Sequence, residues 1–311
     1  MTYVFCNLNL TPEQSLRLQS ELDDGLLQLV SEEEPESKAK PYFDKSEIAF
    51  GNPHPSWIST NTSLRWVQLE SVGFGEYHSL DWNDLGQRIR VTNLSGFFAD
   101  PVAESILAGI LSIYRGIDQL VSLKQDCVWK GDELRPSLRT LRGSNVVLFG
   151  KGAINARLID LLKPFDCTIS CFGRGWTSAQ LNDALAKADV IVSTVPDTPE
   201  TQGIFDASRI AILKHGSIFA NFGRGSVVDD DALADGLESG AIRGAVIDVT
   251  RDEPLREHHR FWKSPNLILT QHSGGGTVNE IDRKIDWFLE NYTRYRRGEP
   301  LRALVDFSRG Y

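Results

Sequence analysis

Three residues of this chain have the types and placement to do chemistry together: Arg224 in "NFGRGSVVD", Glu253 in "DVTRDEP" and His272 in "TQHSGGGT". Each follows a short run rich in β-branched or aromatic residues, so each lies just past the carboxyl end of an expected strand. In open α/β sheets that is the edge where ligands bind. A histidine titrates near neutrality, a carboxylate can hold it, and an arginine is a fixed cation. Together they suit proton transfer during hydride transfer at a carbonyl beside a carboxylate. Singly, each has a plainer reading: a histidine after a strand is often structural, and a lone Arg or Glu usually faces solvent.

A second constellation is "NVVLFGKGAINARLIDLL", residues 145–162, which passes from a strand pattern to a helix pattern through Gly150 and Gly152. Gly150 permits the tight turn, and Gly152 lets the backbone approach a pyrophosphate where Ala153 and Ile154 open the helix. Asn155 stands where such fingerprints carry a third glycine. An ordinary strand-to-helix turn would also fit. The expectation is a normal pyrophosphate site with Asn155 as a packing substitution that displaces the helix slightly. The next strand ends "CFGRGW", with Gly173 and Arg174 where an acid would bind the adenosine ribose hydroxyls. A missing carboxylate and an added guanidinium favour NADP(H) over NAD(H), with an exposed strand-end arginine as the alternative. Thr177 and Ser178 are possible hydroxyl donors nearby.

These residues need elements to position them. From 145 to 272, "NVVLF", "CTISCF", "DVIVSTV", "SIFANF", "GAVIDV" and "NLILT" read as strands, with amphipathic segments between the first five. This predicts a doubly wound parallel sheet of Rossmann type with helices on both faces. "DDDALADGLESG" has Asp229 at its start and Gly240 in the left-handed closing position, so the triple Asp reads as a helix start and not a metal site. The first 95 residues form a separate unit with strands "TYVFCNL", "EIAF", "RWVQLE" and "IRVTN", and with "SEEEPESKAKP" as a solvated loop. The late helix "NEIDRKIDWFLENYTRYRRG" is expected to pack back on that unit and make it discontinuous. The expected domains are therefore 1–96 with 278–311, and 97–277. In "DPVAESILAGILSIYRGIDQL", Asp100 and Pro101 read as cap and first helical residue, and the apolar residues cover more than one stripe. A second subunit is the simplest partner for the spare stripe.

Composition narrows the partners. The 311 residues carry a net charge of −9, which gives no basic surface for nucleic acid. Cys6, Cys127, Cys167 and Cys171 lack paired CxxC spacing and read as structural thiols, with no metal site expected. No signal-peptide pattern or membrane-length apolar run is seen, so the expected location is the cytoplasm, with no membrane partner. His258 and His259 read as surface residues.

The blocks "ADVIVSTVPDTPETQGIF", "GSIFANFGRGSVVDDDALADGLESGAIRGAVIDVTRDEPL" and "SPNLILTQHSGGGT" resemble the D-isomer-specific 2-hydroxyacid dehydrogenase family, most of all its glyoxylate/hydroxypyruvate reductase branch. "LRWVQLESVGFG" and "RRGEPLRALVD" extend the likeness weakly to the ends. The resemblance implies a Rossmann-type dinucleotide domain, a flavodoxin-like α/β substrate domain, a cleft, and a homodimer built around the helix at 101–118. It implies that His272 protonates the carbonyl oxygen, that Glu253 pairs with it and favours its charged form, and that Arg224 binds the keto acid. Backbone N–H groups around Val72 and Gly73 would take the substrate carboxylate. Phe222 and Asp248 would hold the nicotinamide carboxamide, while Pro196, Thr201, Gly274 and Gly275 line its ribose and phosphate. The implied activity is NADPH-dependent reduction of small 2-keto acids to D-2-hydroxy acids. Alternatives on the same fold are a dinucleotide-sensing corepressor, disfavoured by the lack of an added interaction segment, or NAD-dependent oxidation of another D-2-hydroxy acid or of phosphite. Formate oxidation fits less well, because that branch carries Gln where Glu253 stands.

Overall fold

Short β-branched runs and one-sided helices alternate along the chain, and the computed structural model describes them over residues 2–22, 25–30 and 34–307. In order they are β1 (Tyr3–Cys6), α1 (Pro12–Ser20), β2 (Leu26–Leu29), α2 (Glu36–Phe43), β3 (Ile48–Phe50), α3 (Pro55–Thr60), β4 (Trp66–Gln68), α4 (Trp82–Leu85) and β5 (Arg90–Thr92). There follow α5 (Ala99–Arg115), α6 (Ile117–Gln125), α7 (Gly131–Leu134), β6 (Asn145–Phe149), α8 (Ala153–Leu162), β7 (Thr168–Phe172), α9 (Ser178–Leu185) and β8 (Val190–Ser193). Last come α10 (Ala207–Ala211), β9 (Ser217–Asn221), α11 (Asp230–Glu238), β10 (Ile242–Ile247), β11 (Leu267–Leu269) and α12 (Glu280–Arg296). They divide into two compact units, residues 1–95 with 277–311, and residues 96–276.

The second unit is a parallel six-stranded sheet in the order β7-β6-β8-β9-β10-β11. From β6 the chain steps outward to β7, then returns to β8 on the other side of β6. That reversal opens a crevice beyond the carboxyl ends of β6 and β8, the position where doubly wound sheets bind ligands. Side-chain alternation feeds two cores. Val147 and Phe149 pack with Leu181, Phe205, Phe219 and Leu233 on one face, and Val146 and Leu148 with Ile106, Ile110, Leu158 and Val246 on the other.

The helix-end signals act mostly as read. Asp229 caps α11 by accepting from the Ala232 N–H at 3.0 Å, a contact worth about 1 kcal/mol, and Gly240 follows at φ +75°. Asp100 is a correction: α5 starts two residues earlier, at Ala99 after Phe98, because Ala99 N–H already turns back to the Gly96 carbonyl. Asp100 therefore lies inside the first turn, where its charge favours the helix dipole and pairs with Arg157 at 2.5 Å. α5 buries Val102, Ala103, Ile106, Ile110 and Ile113, then ends at Gly116, φ +62°. α6 leaves at a bend of 70° and buries no residue. Among the described residues no single helix is long and apolar enough to cross a membrane.

The first unit is a parallel five-stranded sheet in the flavodoxin-like order β2-β1-β3-β4-β5. α12 lies on it: the Phe288 ring stacks on Phe50 at 4.4 Å and on Trp66 at 5.2 Å, with Ile285 and Tyr292 in the same core. Such pairs contribute about 0.5–1.5 kcal/mol each beyond their area. The closing segment is tied down through polar groups: Asn291 bonds the Arg302 carbonyl and N–H, and also the Gln68 amide oxygen. Two expectations fail here. The polar run at 31–41 is not all loop, since α2 starts at Glu36 and buries Ala39 and Phe43; residues 31–33 lie outside the described residues. β2 and α1 were not anticipated, although Thr11 and Gln14 form a capping box at the start of α1.

Candidate active site

The carboxyl ends of β9, β10 and β11 bring the three reactive residues together. β10 ends at Ile247, and Asp248 follows, only 6% exposed. Its Oδ1 accepts the Thr270 hydroxyl at 2.5 Å and the Gly274 N–H at 3.0 Å, and its carbonyl accepts the His272 N–H at 2.6 Å. One buried aspartate thus clamps the loop after β11. Inside that loop Gln271 and His272 both adopt left-handed backbone, φ +53° and +55°. For non-glycine residues this costs about 1–3 kcal/mol each and persists only where surrounding bonds hold it.

The turn aims the imidazole at Glu253. His272 Nδ1 lies 2.7 Å from Glu253 Oε2, while Oε1 of the same carboxylate accepts the Thr250 N–H at 2.9 Å. The carboxylate is held from both sides, and Nε2 stays on the opposite edge of the ring. The side chains of His272 and Glu253 are 55% and 37% exposed, which leaves them accessible to a small substrate.

Arg224 reaches the same rim by close backbone packing. A Cβ on Gly225 would lie 1.9 Å from the Thr250 carbonyl carbon, so only glycine lets the β9 loop touch the loop carrying Glu253. Arg224 is exposed and donates to the Gly223 carbonyl at 2.7 Å; among the described residues no other acceptor of its guanidinium N–H groups is seen.

The glycine turn lies at the switch point. Gly150 has φ +119°, and a Cβ there would meet Thr194 Oγ1 at 2.8 Å. Gly152 precedes α8 without any side-chain cap, so the N–H groups of Ala153 and Ile154 point out at the positive helix end. Nothing lies within 4 Å of where a Gly152 Cβ would sit. Open space beside uncapped N–H groups fits a pyrophosphate. Asn155 is fully buried, and its amide donates to the Gly150 carbonyl at 2.8 Å. It ties the turn from below and does not stand over Gly152.

The other sequence-derived residues take distinct places. Arg174 is exposed on the turn after β7. Thr177 caps α9 together with Gln180, and Ser178 accepts from Arg209 at 3.2 Å, so both hydroxyls already have local partners. Thr201 donates to the Pro196 carbonyl at 2.6 Å and accepts the Thr198 N–H, shaping the loop after β8. The Phe222 ring packs against Gly274, and Phe98 against Gly275. His259 is more than a surface residue: Nδ1 accepts the Phe261 N–H, and Nε2 lies 3.5 Å from Asp230, whose carboxyl burial pushes up to about 6.

In the first unit, Val72 and Gly73 are exposed on the loop after β4. Asn93 donates to the Val72 carbonyl at 2.8 Å, the Ser71 hydroxyl donates to the Gly73 carbonyl at 2.7 Å, and Asn52 accepts the Glu70 N–H. The carbonyls of Val72 and Gly73 are thus both engaged within the loop. Sequence reading missed its anchor. Lys284 on α12 is 7% exposed and pairs with Glu70 at 3.3 Å and Glu280 at 2.9 Å. A lysine amid the apolar residues of α12 was the available signal.

Residues 107–274 match the model of the D-isomer specific 2-hydroxyacid dehydrogenase NAD binding domain. The glyoxylate/hydroxypyruvate reductase A of Salmonella newport is 27% identical over 218 residues, covering 67% of this chain and 68% of that protein. The mitochondrial formate dehydrogenase of Solanum tuberosum is 26% identical over 291 residues, 87% of this chain and 75% of that one. A D-isomer specific 2-hydroxyacid dehydrogenase family protein from Aeromonas salmonicida superposes with a TM-score of 0.81 at 25% identity, covering 98% of this chain and 99% of its own. The clamped His272–Glu253 pair, the switch-point glycine turn and a family match over more than half of the chain agree: this protein belongs to the D-isomer-specific 2-hydroxyacid dehydrogenase family, whose members are oxidoreductases.

Proposed function

We propose that this enzyme reduces small 2-keto acids, of the glyoxylate and hydroxypyruvate kind, to D-2-hydroxy acids with NADPH. The observation that carries the reading is the 2.7 Å contact of His272 Nδ1 with Glu253 beside Arg224 at one rim of the sheet. When bound, the reduced nicotinamide supplies a hydride for the carbonyl carbon. His272 holds a proton on Nε2 and passes it to the carbonyl oxygen as negative charge develops there. Glu253 accepts from Nδ1–H, fixing the ring orientation and stabilising the protonated ring before transfer. Arg224 turns its remaining N–H groups to the keto acid, orienting the carbonyl and countering the developing charge. The N–H groups of Val72 and Gly73 are assigned the substrate carboxylate.

The cofactor is assigned to the α8 N-terminus and the strand ends. Ala153, Ile154 and the glycines Gly150 and Gly152 would face the pyrophosphate. Asp248, Phe222, Pro196, Thr201, Gly274 and Gly275 would surround the nicotinamide half. Arg174 after Gly173, with no carboxylate at that strand end, supports a ribose 2′-phosphate. The four free cysteines fit a reducing cytoplasm. A homodimer built around the helix at 101–118 is supported by the apolar exposure that continues from it: Ile117 is 49%, Val121 54% and Trp129 95% exposed. Light scattering that returned the mass of one chain would remove the dimer.

The activity is tested by mixing the protein with NADPH and a panel of 2-keto acids, with chiral analysis of the product. Loss of nicotinamide absorbance and a D-hydroxy acid are expected. No absorbance loss with any member of the panel would sink the reading.

A further inference from the structure

We propose that Lys151 is a second cation, alongside Arg174, for a phosphate on the adenosine ribose, and that Gly173 exists to seat it. This rests on the reading that a dinucleotide binds at the glycine turn, and it names a specificity residue within that site.

β6 and β7 pair in register from Asn145↔Thr168 to Phe149↔Phe172, so the turn after one strand lies beside the turn after the other. Lys151 stands between Gly150 and Gly152 in the first turn, and its side chain crosses to the second. A Cβ placed on Gly173 would meet Lys151 Cδ at 2.7 Å, Cγ at 2.9 Å and Cβ at 3.2 Å. The methylene stem therefore lies flat on the Gly173 backbone, in space that any larger residue would take. The same lysine is the charge that acts on the Cys171 thiol of β7, opposing the rise that burial causes. Lys151 is exposed, and its ammonium is carried two bonds past the Cδ that meets Gly173.

The end of the second strand is where the adenosine ribose is read in such sheets. A carboxylate there accepts ribose hydroxyls and repels phosphate. This chain has glycine and no carboxylate there, and the glycine surface carries a lysine stem. An ammonium on a flexible stem serves a phosphate as a point charge, complementing the fixed fork of a guanidinium. Gly173 and Lys151 are thus one device: the substitution that removes repulsion also admits a cation.

The test measures binding of two cofactor fragments, 2′,5′-ADP and 5′-AMP, to the full chain by calorimetry at two salt concentrations. Wild type is expected to prefer 2′,5′-ADP. Lys151→Met should weaken 2′,5′-ADP about tenfold, leave 5′-AMP within about twofold, and flatten the salt dependence. Gly173→Val, which keeps the charge but crowds the stem, should lose part of the same preference. If Lys151→Met keeps the wild-type preference while Arg174→Ala loses it, the role of Lys151 is overturned and the NADPH reading stands. If Lys151→Met weakens both fragments equally, the lysine acts on the turn and the proposal fails. A wild type that binds both fragments alike overturns the NADPH reading and this inference with it.

Discussion

The two sheets share a winding order, with the second strand outside the first and the third to fifth on the other side, but they build their carboxyl ends from different materials. The second unit displays side chains that titrate or carry charge: His272, Glu253 and Arg224. The first unit presents an exposed loop at Val72 and Gly73, whose backbone is held by Asn52, Asn93 and the Lys284–Glu70 pair. On the function proposed above, the same topology is assigned a rim that moves protons and a rim that holds an anion. Reaction chemistry needs particular side chains, whereas anion binding needs only a loop held open with its donors outward.

This contrast predicts different kinds of damage. On the reactive rim, Arg224→Met should lower kcat/KM for a 2-keto acid by about 10²–10³-fold, as removal of a charge-stabilising donor does elsewhere. Steady-state kinetics check it, and a loss confined to cofactor KM would move Arg224 out of the substrate site. On the rim assigned to the substrate carboxylate the effect should be smaller and of another type. Glu70→Gln and Lys284→Met should raise keto acid KM about tenfold and leave cofactor affinity unchanged, because they loosen a loop without touching the nucleotide turn. Lys284→Met also leaves two carboxylates without their cation and should lower Tm, so Glu70→Gln is the cleaner probe. Unchanged KM in a folded Glu70→Gln would show that the anchor has no part in substrate binding.

The smallest effect concerns stability away from both rims. Burial raises the Asp230 carboxyl from its ordinary 3.8 to about 6, so the folded chain favours its neutral form. The resulting stabilisation is fully present below the unfolded value and is lost as pH rises through about 6. Asp230→Asn cannot suffer that loss. Between about pH 4 and pH 7 its Tm relative to wild type should shift in its favour by a few degrees. A difference that stays flat with pH would mean that the His259 contact offsets the burial.

The same contrast explains what was legible in the sequence. Strands β6 to β11 and the reactive residues beyond them were readable because buried parallel strands give dense β-branched runs, and the letters H, E and R name their own chemistry. The first unit was read less well. β2 is a short strand with mixed polarity, and the start of α2 hides in a run of Glu and Lys whose buried face is only Ala39 and Phe43. A donor supplied by the backbone has no letter at all. Val72 and Gly73 came from family likeness, and their anchor Lys284 lies 211 to 212 residues later, a pairing that only the fold can make. Asn155 shows a subtler case: the lost third glycine is visible, but its bond to the Gly150 carbonyl is not.

The central claim is that His272, held by Glu253, delivers the proton in 2-keto acid reduction. The most direct measurement is His272→Gln assayed for dinucleotide affinity and for turnover in the same preparation. The account predicts affinity within about twofold of wild type and turnover lower by about 10²–10⁴-fold. Turnover near the wild-type rate with cofactor still bound would contradict it.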